Sequence, residues 1–576
     1  MARTFAQVTI PDEPFDAIVV GSGISGGFAA KELTEKGLRT LMLERGRNVR
    51  HVEDYVTEGV PPWAFSFRNG KLSPAYSAEE YFIQSRTGQF NESAFPFFIN
   101  DRENPYVEEK PFTWIRGNHV GGRSLMWGRQ CYRWSDLDFE ANAREGIGVD
   151  WPIRYADIAP WYDYVEAFVG ISGEALGLAH LPDGPFLPPM PLNAAERQVQ
   201  AGIARHFDDR LMTVGRVANL TQGLNERSAC QYRNQCWRGC SYRAYFSSVS
   251  VTLPMAEATG NLTLRPHSLV HSILYDEALD RATGVRVIDT ETREVIEYRG
   301  KLIFLCASTL GSTQILLNSK TPRFSEGLAN SSGVLGHYLM DHHYQVGAEG
   351  IIEGLEDRYL NGRRPNGIYI PRFQNLDERT RRREYVRGFG YQGSAQRPGW
   401  VRGGAVPGFG AELKAALRDP GPWTMRVNGF GEALPDYDNY VTLDEERTDS
   451  YGLPQLRIHC EWKENELAMR KEMAEAAAEM LEAGGATRVE TYDHYLARGY
   501  GEPGLGIHEM GTARMGRDPQ TSVLNAYNQA HDVPNLFVTD GACMSSSACQ
   551  NPSITYMALT ARAVDYAVGE LNRRNV

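Results

Sequence analysis

The sequence predicts a mixed α/β fold, in which a parallel-sheet Rossmann domain is interleaved with a second domain built on a β-sheet. Three observations carry this. The chain opens with a strand, a glycine-rich turn and a helix. A buried-strand run at Lys301–Cys306 leads through small residues into another helix. A last strand, Leu536–Gly541, precedes the final helix, whereas residues 335–500 are richer in β character and charge. Strands alternating with helices imply parallel βαβ units.

The opening unit reads Asp16-Ala17-Ile18-Val19-Val20 as strand and Gly21-Ser22-Gly23-Ile24-Ser25-Gly26 as turn, with a helix through Leu33. A second strand, Arg39–Leu43, ends in Glu44 and Arg45. Gly21 allows the tight turn, Gly23 lets backbone approach a pyrophosphate, and Gly26 lets the helix pack closely on the sheet. The helix start offers free N–H groups and a positive dipole end to phosphates. Glu44 stands 18 residues after Gly26, the spacing of a carboxylate that accepts from ribose hydroxyls. The alternative is a glycine-rich turn with no ligand. The strand–helix context favours a dinucleotide site with Gly21, Gly23, Gly26, Glu44 and Arg45 as contacts. It does not separate NAD from FAD. Its place at the head of a long chain, with later segments able to approach an extended cofactor, points to FAD.

At 576 residues the chain is long enough for two to four domains. A net charge of −12 argues against nucleic acid as a partner. No apolar run is long enough to span a membrane. Met1–Gln7 has neither an apolar core nor a twin arginine, so the chain is expected to lack its own export signal. Eight cysteines are too few for a disulfide scaffold of this size.

Residues 51–109 are aromatic-rich and irregular, which suits a lid, an arm or a surface extension. Gly121-Gly122-Arg123-Ser124 suits backbone passing close to a flat ring system. Tyr155–Val169 is helical and Gly170 ends it; Glu466–Ala483 is a helix closed by Gly484-Gly485. The expected division assigns 1–50, 110–150, 250–335 and 500–576 to the cofactor domain. It assigns 151–249 and 336–499 to the substrate domain, with a cysteine-rich loop at 228–245.

The last 76 residues hold His508-Glu509-Met510-Gly511-Thr512, then Asp540-Gly541, then Cys549-Gln550-Asn551-Pro552 and a helix. With the N-terminal fingerprint, Gly121-Gly122-x-Ser124 and the 301–317 unit, the chain here resembles the glucose–methanol–choline (GMC) family of flavoproteins. The resemblance implies a p-hydroxybenzoate-hydroxylase-like FAD fold, His508 as catalytic base and Asn551 as its partner. Alcohol oxidation needs a base for the hydroxyl proton while hydride leaves the same carbon, and imidazole titrates in the right range. A side-chain amide orients the hydroxyl without competing for the proton. Asp540-Gly541 and the following helix N-terminus suit the ribityl chain and the pyrimidine edge of the reduced flavin. The competing readings are a loop histidine for His508 and a helix cap for Asn551. Some sugar-oxidising members attach FAD through a histidine just before the tryptophan that here is Trp127. Met126 stands at that place, and His119 precedes the paired glycines, so non-covalent FAD is expected.

Cys230, Cys236 and Cys240 have the spacing C-x5-C-x3-C. Three such thiolates can hold an iron–sulfur cluster, whereas zinc would want a fourth ligand nearby. Spacing alone leaves structural or reactive thiols open. The resemblance extends to bacterial membrane-linked sugar dehydrogenases of the family, such as glucoside 3-dehydrogenase, and there implies a 3Fe-4S cluster. It further implies a small signal-bearing subunit, a cytochrome c acceptor and periplasmic co-export, with the cytoplasm as the alternative. The expected reaction is oxidation of a ring hydroxyl, at C3, of a hexose or glucoside. The alternatives are an oxygen-using pyranose oxidase, C1 oxidation of the glucose or gluconate type, and non-redox lyase chemistry. His342, His343, Gln392 and Glu432 are further candidates for substrate contact.

Overall fold

Alternation along the strands builds two cores from one parallel sheet. A computed structural model describes residues 8–9, 13–67, 70, 74–360, 362, 364–404, 406–498 and 501–576. Met1–Gln7, read above for an export signal, lies outside the described residues. Phe15–Val20 is central: Thr40–Leu43 pairs parallel on one side, with Ile18 opposite Leu41, and Val295–Leu305 on the other, with Ile18 opposite Ile303. Leu262–Arg265 and Leu536–Val538 extend the two edges, also parallel. Ala17, Val19, Met42, Leu302, Phe304 and Phe537 point to one face. There they meet Ala29, Ala30 and Leu33 of the helix Ile24–Glu35 and Ala563, Val564 and Ala567 of the final helix, Ser553–Arg573. Ile18, Val20, Leu41, Leu43, Ile303, Leu305 and Val538 point the other way and join the core that includes Leu310 and Leu316 of the helix Thr309–Asn318. A parallel sheet is stable only when both faces are covered in this way. The first half of Val295–Leu305 also carries an antiparallel meander with Arg281–Asp289 and Ser268–Asp276.

The last strand is shorter than the sequence reading. It ends at Val538 because the Asp540 side chain accepts from the Ala542 N–H at 3.0 Å and turns the chain into a 3₁₀ turn. The final helix starts at Ser553. The helix Tyr155–Val169 ends at Gly170, whose φ of 77° needs no Cβ. Ile158, Tyr162, Val165 and Val169 of that helix join the core that holds Ile18 and Ile303, and the helix packs against the final helix.

The second sheet is antiparallel, in the order Thr487–Asp493, Val346–Ile352, Trp423–Gly431, Phe389–Gln396, Ile368–Ile370 and Thr213–Val214. Trp423, Met425 and Val427 face backwards onto Met469, Met473, Ala477 and Met480 of the helix Glu464–Ala483. Period two therefore turns Thr424, Arg426, Asn428 and Phe430 to the front. Phe389 and Tyr391 join the rear core, so Gln392 faces forward. The described residues of 51–109 form short 3₁₀ turns, one helix, Pro74–Glu80, a two-residue strand, Val107–Glu108, and loops around a buried aromatic set that includes Tyr81, Phe90, Phe97 and Phe98. Thr87, Gly88, Gln89 and Phe98 from this stretch border the central cavity. Among the described residues no helix is long and apolar enough to cross a membrane.

Candidate active site

A cavity of about 630 Å³ runs between the two sheets and touches both glycine-rich turns, Glu44, Arg45, Asp540, Gly541, His508 and Asn551. Gly21 has φ of 95°, and a Cβ there would strike the Cys306 carbonyl. A Cβ on Gly26 would overlap the Gly21 carbonyl, so the helix can sit on the strand only with glycine there. Gly23 has nothing within 4 Å of its Cβ position, leaving a bare backbone edge on the cavity. The Ser22 N–H and hydroxyl donate to Glu44 at 3.2 and 2.6 Å, and the Gly46 N–H donates to its other oxygen at 3.0 Å. Burial pushes the Glu44 carboxyl up. Arg45 donates to Asn104 at 3.1 Å on the cavity wall.

The second turn locks onto the first. The Gly121 N–H donates to the Ser22 hydroxyl at 2.9 Å, and the Ser124 hydroxyl donates to the Gly121 carbonyl at 2.5 Å. Gly121 and Gly122 have φ of 90° and 47°. On the far wall Asp540 accepts from Ser312 Oγ at 2.5 Å, and burial holds its carboxyl up at about 6. A Cβ on Gly541 would strike the Glu509 carbonyl and Thr309 Oγ1.

His508 and Asn551 meet at this cavity: His508 Nε2 lies 3.2 Å from Asn551 Nδ2. The Asn551 amide does not cap the final helix, whose N-cap is Pro552 without a side-chain bond. Its Oδ1 accepts from Gln392 Nε2 at 2.5 Å. Burial, then the neighbouring His342 and Arg123, hold the His508 imidazole well below 6.5, so it stands neutral and able to accept a proton. Arg123 itself is paired with Glu509 at 2.8 Å.

Three residues here were not assigned from sequence. Asp341 Oδ1 accepts from the His508 N–H at 2.9 Å, and Oδ2 accepts from the Gly504 and Gly506 N–H groups at 2.8 and 2.9 Å. It thereby fixes the loop that carries His508. Burial and the charge of Glu509 push the Asp341 carboxyl up to about 7, against the pull of those N–H groups. His342 Nδ1 lies 2.8 Å from His508 Nδ1, and its Nε2 bonds the Ala548 carbonyl. Gln392, a bare candidate in the sequence, holds Asn551. Asp341, His342 and His508 are the only group among the described residues with ligand atoms gathered within 4.8 Å. The donors on Asp341 and the short Nδ1–Nδ1 contact fit a shared proton better than a metal ion. His343 and Glu432 are corrected: both are fully buried away from the cavity, His343 against Met469 and Glu432 paired with Arg372 at 2.7 Å.

Cys230, Cys236 and Cys240 sit on one loop with left-handed turns at Tyr232, Asn234 and Gly239. The Tyr232 N–H donates to Cys230 Sγ at 3.4 Å. Burial raises the Cys230 thiol to about 11 and raises Cys240. Asn234 and Trp237 of this loop border the central cavity. Arg129, buried with no acid partner, lies over the Trp237 ring at 5.5 Å and acts electrostatically on Cys230.

Family models described as GMC oxidoreductase match residues 15–344 and 435–560. The chain is 31% identical to 2-methyl-1,2-propanediol dehydrogenase of Mycolicibacterium austroafricanum, over 97% of this chain and 96% of that one. It is 26% identical to paromamine 6'-oxidase of Streptomyces fradiae, over 98% and 93%. It is 24% identical to the fructose dehydrogenase large subunit of Gluconobacter japonicus, over 97% and 98%. Among solved structures, pyridoxine 4-oxidase from Mesorbium loti superposes with a TM-score of 0.59 at 15% identity, covering 96% of this chain and 99% of that one.

Proposed function

Because the chain belongs to the GMC oxidoreductase family, whose members use FAD, we propose that it is a dehydrogenase oxidising a ring hydroxyl, at C3, of a neutral hexose or glucoside. The observation that carries this is the His508–Asn551 pair opening on the same cavity as the glycine-rich cradle. The residues fit FAD. The Gly21–Gly26 turn would hold the pyrophosphate and Glu44 the ribose, and the Cβ-free step at Gly541 would leave room beside the ring. Met126, in place of an attaching histidine, supports non-covalent binding. When bound, the flavin supplies the hydride acceptor. His508 Nε2 takes the hydroxyl proton, and Asn551 Nδ2 donates to the substrate oxygen and holds it beside the base. The wall around this pair offers Gln392, Asn366, Gln130, Phe430 and Tyr344. Amides and rings suit a neutral polyol, and the acids that border the cavity, Glu44, Glu509 and Asp540, are already bonded to Ser22, Arg123 and Ser312.

The test is anaerobic mixing with methyl glucoside while following flavin absorbance. Its anomeric carbon is blocked, so bleaching supports a ring-hydroxyl reading and product analysis fixes the carbon. Bleaching by free glucose alone would move the reaction to C1, and no bleaching by any sugar would favour a different alcohol or lyase chemistry.

We further propose that the cysteine loop holds a 3Fe-4S cluster. A buried guanidinium, Arg129, which has no acid partner among the described residues and acts on Cys230, supports an anionic group there, and Trp237 links that loop to the cavity. Electrons would then leave for a cytochrome c through a small partner subunit in the periplasm. Protein purified anaerobically is expected to contain iron and labile sulfide, both lost when all three cysteines become serine. Iron-free wild type would remove the cluster, and with it the argument against an oxygen-using enzyme.

A further inference from the structure

We propose that His342 is a positioning residue that fixes the proton of His508 on Nδ1 and so keeps Nε2 an acceptor, a place that Asn551 Nδ2 fills here and a substrate hydroxyl would take. The inference rests on His508 being the base. It comes from the order of donors and acceptors in one buried chain.

The chain starts at the Ala548 carbonyl, which can only accept. His342 Nε2 bonds it and must therefore carry a hydrogen. Burial lowers the His342 imidazole to about 4, so it is neutral near pH 7 and its Nδ1 is bare. That Nδ1 lies 2.8 Å from His508 Nδ1, a contact that needs one hydrogen, and only His508 can supply it. His508 is neutral too, so its Nε2 is bare and accepts from Asn551 Nδ2. The last link agrees. Asn551 Oδ1 accepts from Gln392 Nε2, which turns the Asn551 amine, and not its oxygen, towards His508. All polarities run one way from Ala548 to Gln392. When Nε2 takes the substrate proton, His508 becomes imidazolium and its Nδ1–H bond to His342 shortens and strengthens. The rings cross at 87°, so His342 meets His508 edge-on and not by stacking.

The test uses the FAD-loaded enzyme and three readouts. In ¹⁵N-histidine-labelled wild type, the signal lost in His508→Ala should show a protonated Nδ1 and a bare Nε2. His342→Leu, which cannot accept, should slow flavin reduction by about 10- to 100-fold. His342→Gln, whose oxygen can accept from His508 while its amine donates to Ala548, should recover to within about tenfold of wild type. A purely space-filling role would rank leucine and glutamine alike. A protonated Nε2 in wild type, or a leucine variant as fast as wild type, overturns the inference. If the leucine variant does not fold, the wild-type spectrum still decides. Should His508→Ala reduce flavin normally, the base assignment itself has failed, which is a separate result.

Discussion

Replacing His508 with alanine is expected to slow flavin reduction by substrate by about 10²- to 10⁴-fold while FAD stays bound. The loss is large because, among the described residues, His342 and Asp341 behind His508 do not border the cavity, and Glu509, which does, is paired with Arg123. Asn551 is an amide, and Arg123 is committed to Glu509. FAD retention follows from where the cradle lies: Gly21–Gly26, Glu44 and Gly121–Ser124 are contributed by other segments. The imidazole is held well below 6.5 by burial, so it adds no protonation limb above that value. Anaerobic stopped-flow absorbance measures the rate, and the flavin-to-protein ratio measures retention. Reduction at the wild-type rate would take His508 out of the chemistry.

Asp341→Asn should show the second large effect. Of the two oxygens, Oδ2 serves the Gly504 and Gly506 N–H groups and Oδ1 serves the N–H of His508. The amide will turn its own amine towards the single donor, leaving the His508 N–H facing another N–H. An unmet buried donor costs about 1–3 kcal/mol. Displacing the base by a fraction of an ångström should lower flavin reduction by about 10- to 100-fold. The wild-type carboxyl loses its proton at about 7, and only the ionised form accepts all three N–H groups. The rate should therefore rise as pH rises through about 7, and that limb should vanish in the asparagine variant, which does not titrate. Stability runs the opposite way. A carboxyl raised on folding favours the folded state when protonated, a contribution present below about pH 4 and lost as pH rises through about 7. Equal thermal stability and an unchanged pH profile in the variant would count against this account.

The strand–turn–helix unit of the first cavity wall was legible in the sequence because its parts are local: strand, glycines, helix and acid fall within thirty residues, roughly one βαβ half-unit. The meeting of His508 and Asn551 was legible only through resemblance, since nothing local ties the two together. What holds them was not legible. His342 reaches His508 across 166 positions and Gln392 reaches Asn551 across 159. Such meetings depend on how two sheets are set against each other, which periodicity does not encode. Glu432 and His343 show the same limit from the other side. Both are polar residues in the substrate half, and both are spent on internal packing.

The pleat of the second sheet separates two kinds of change. Odd positions from Trp423 to Gly431 serve the rear core, and the even ones between them face forward. A substitution at Phe430 can therefore alter what the enzyme accepts without disturbing the methionine-lined rear, while His508 and Asn551 arrive from a different part of the chain. Selectivity and chemistry are thus free to diverge at separate rates. Relatives whose names span a small diol, an aminoglycoside and a ketose are the range such an arrangement would permit.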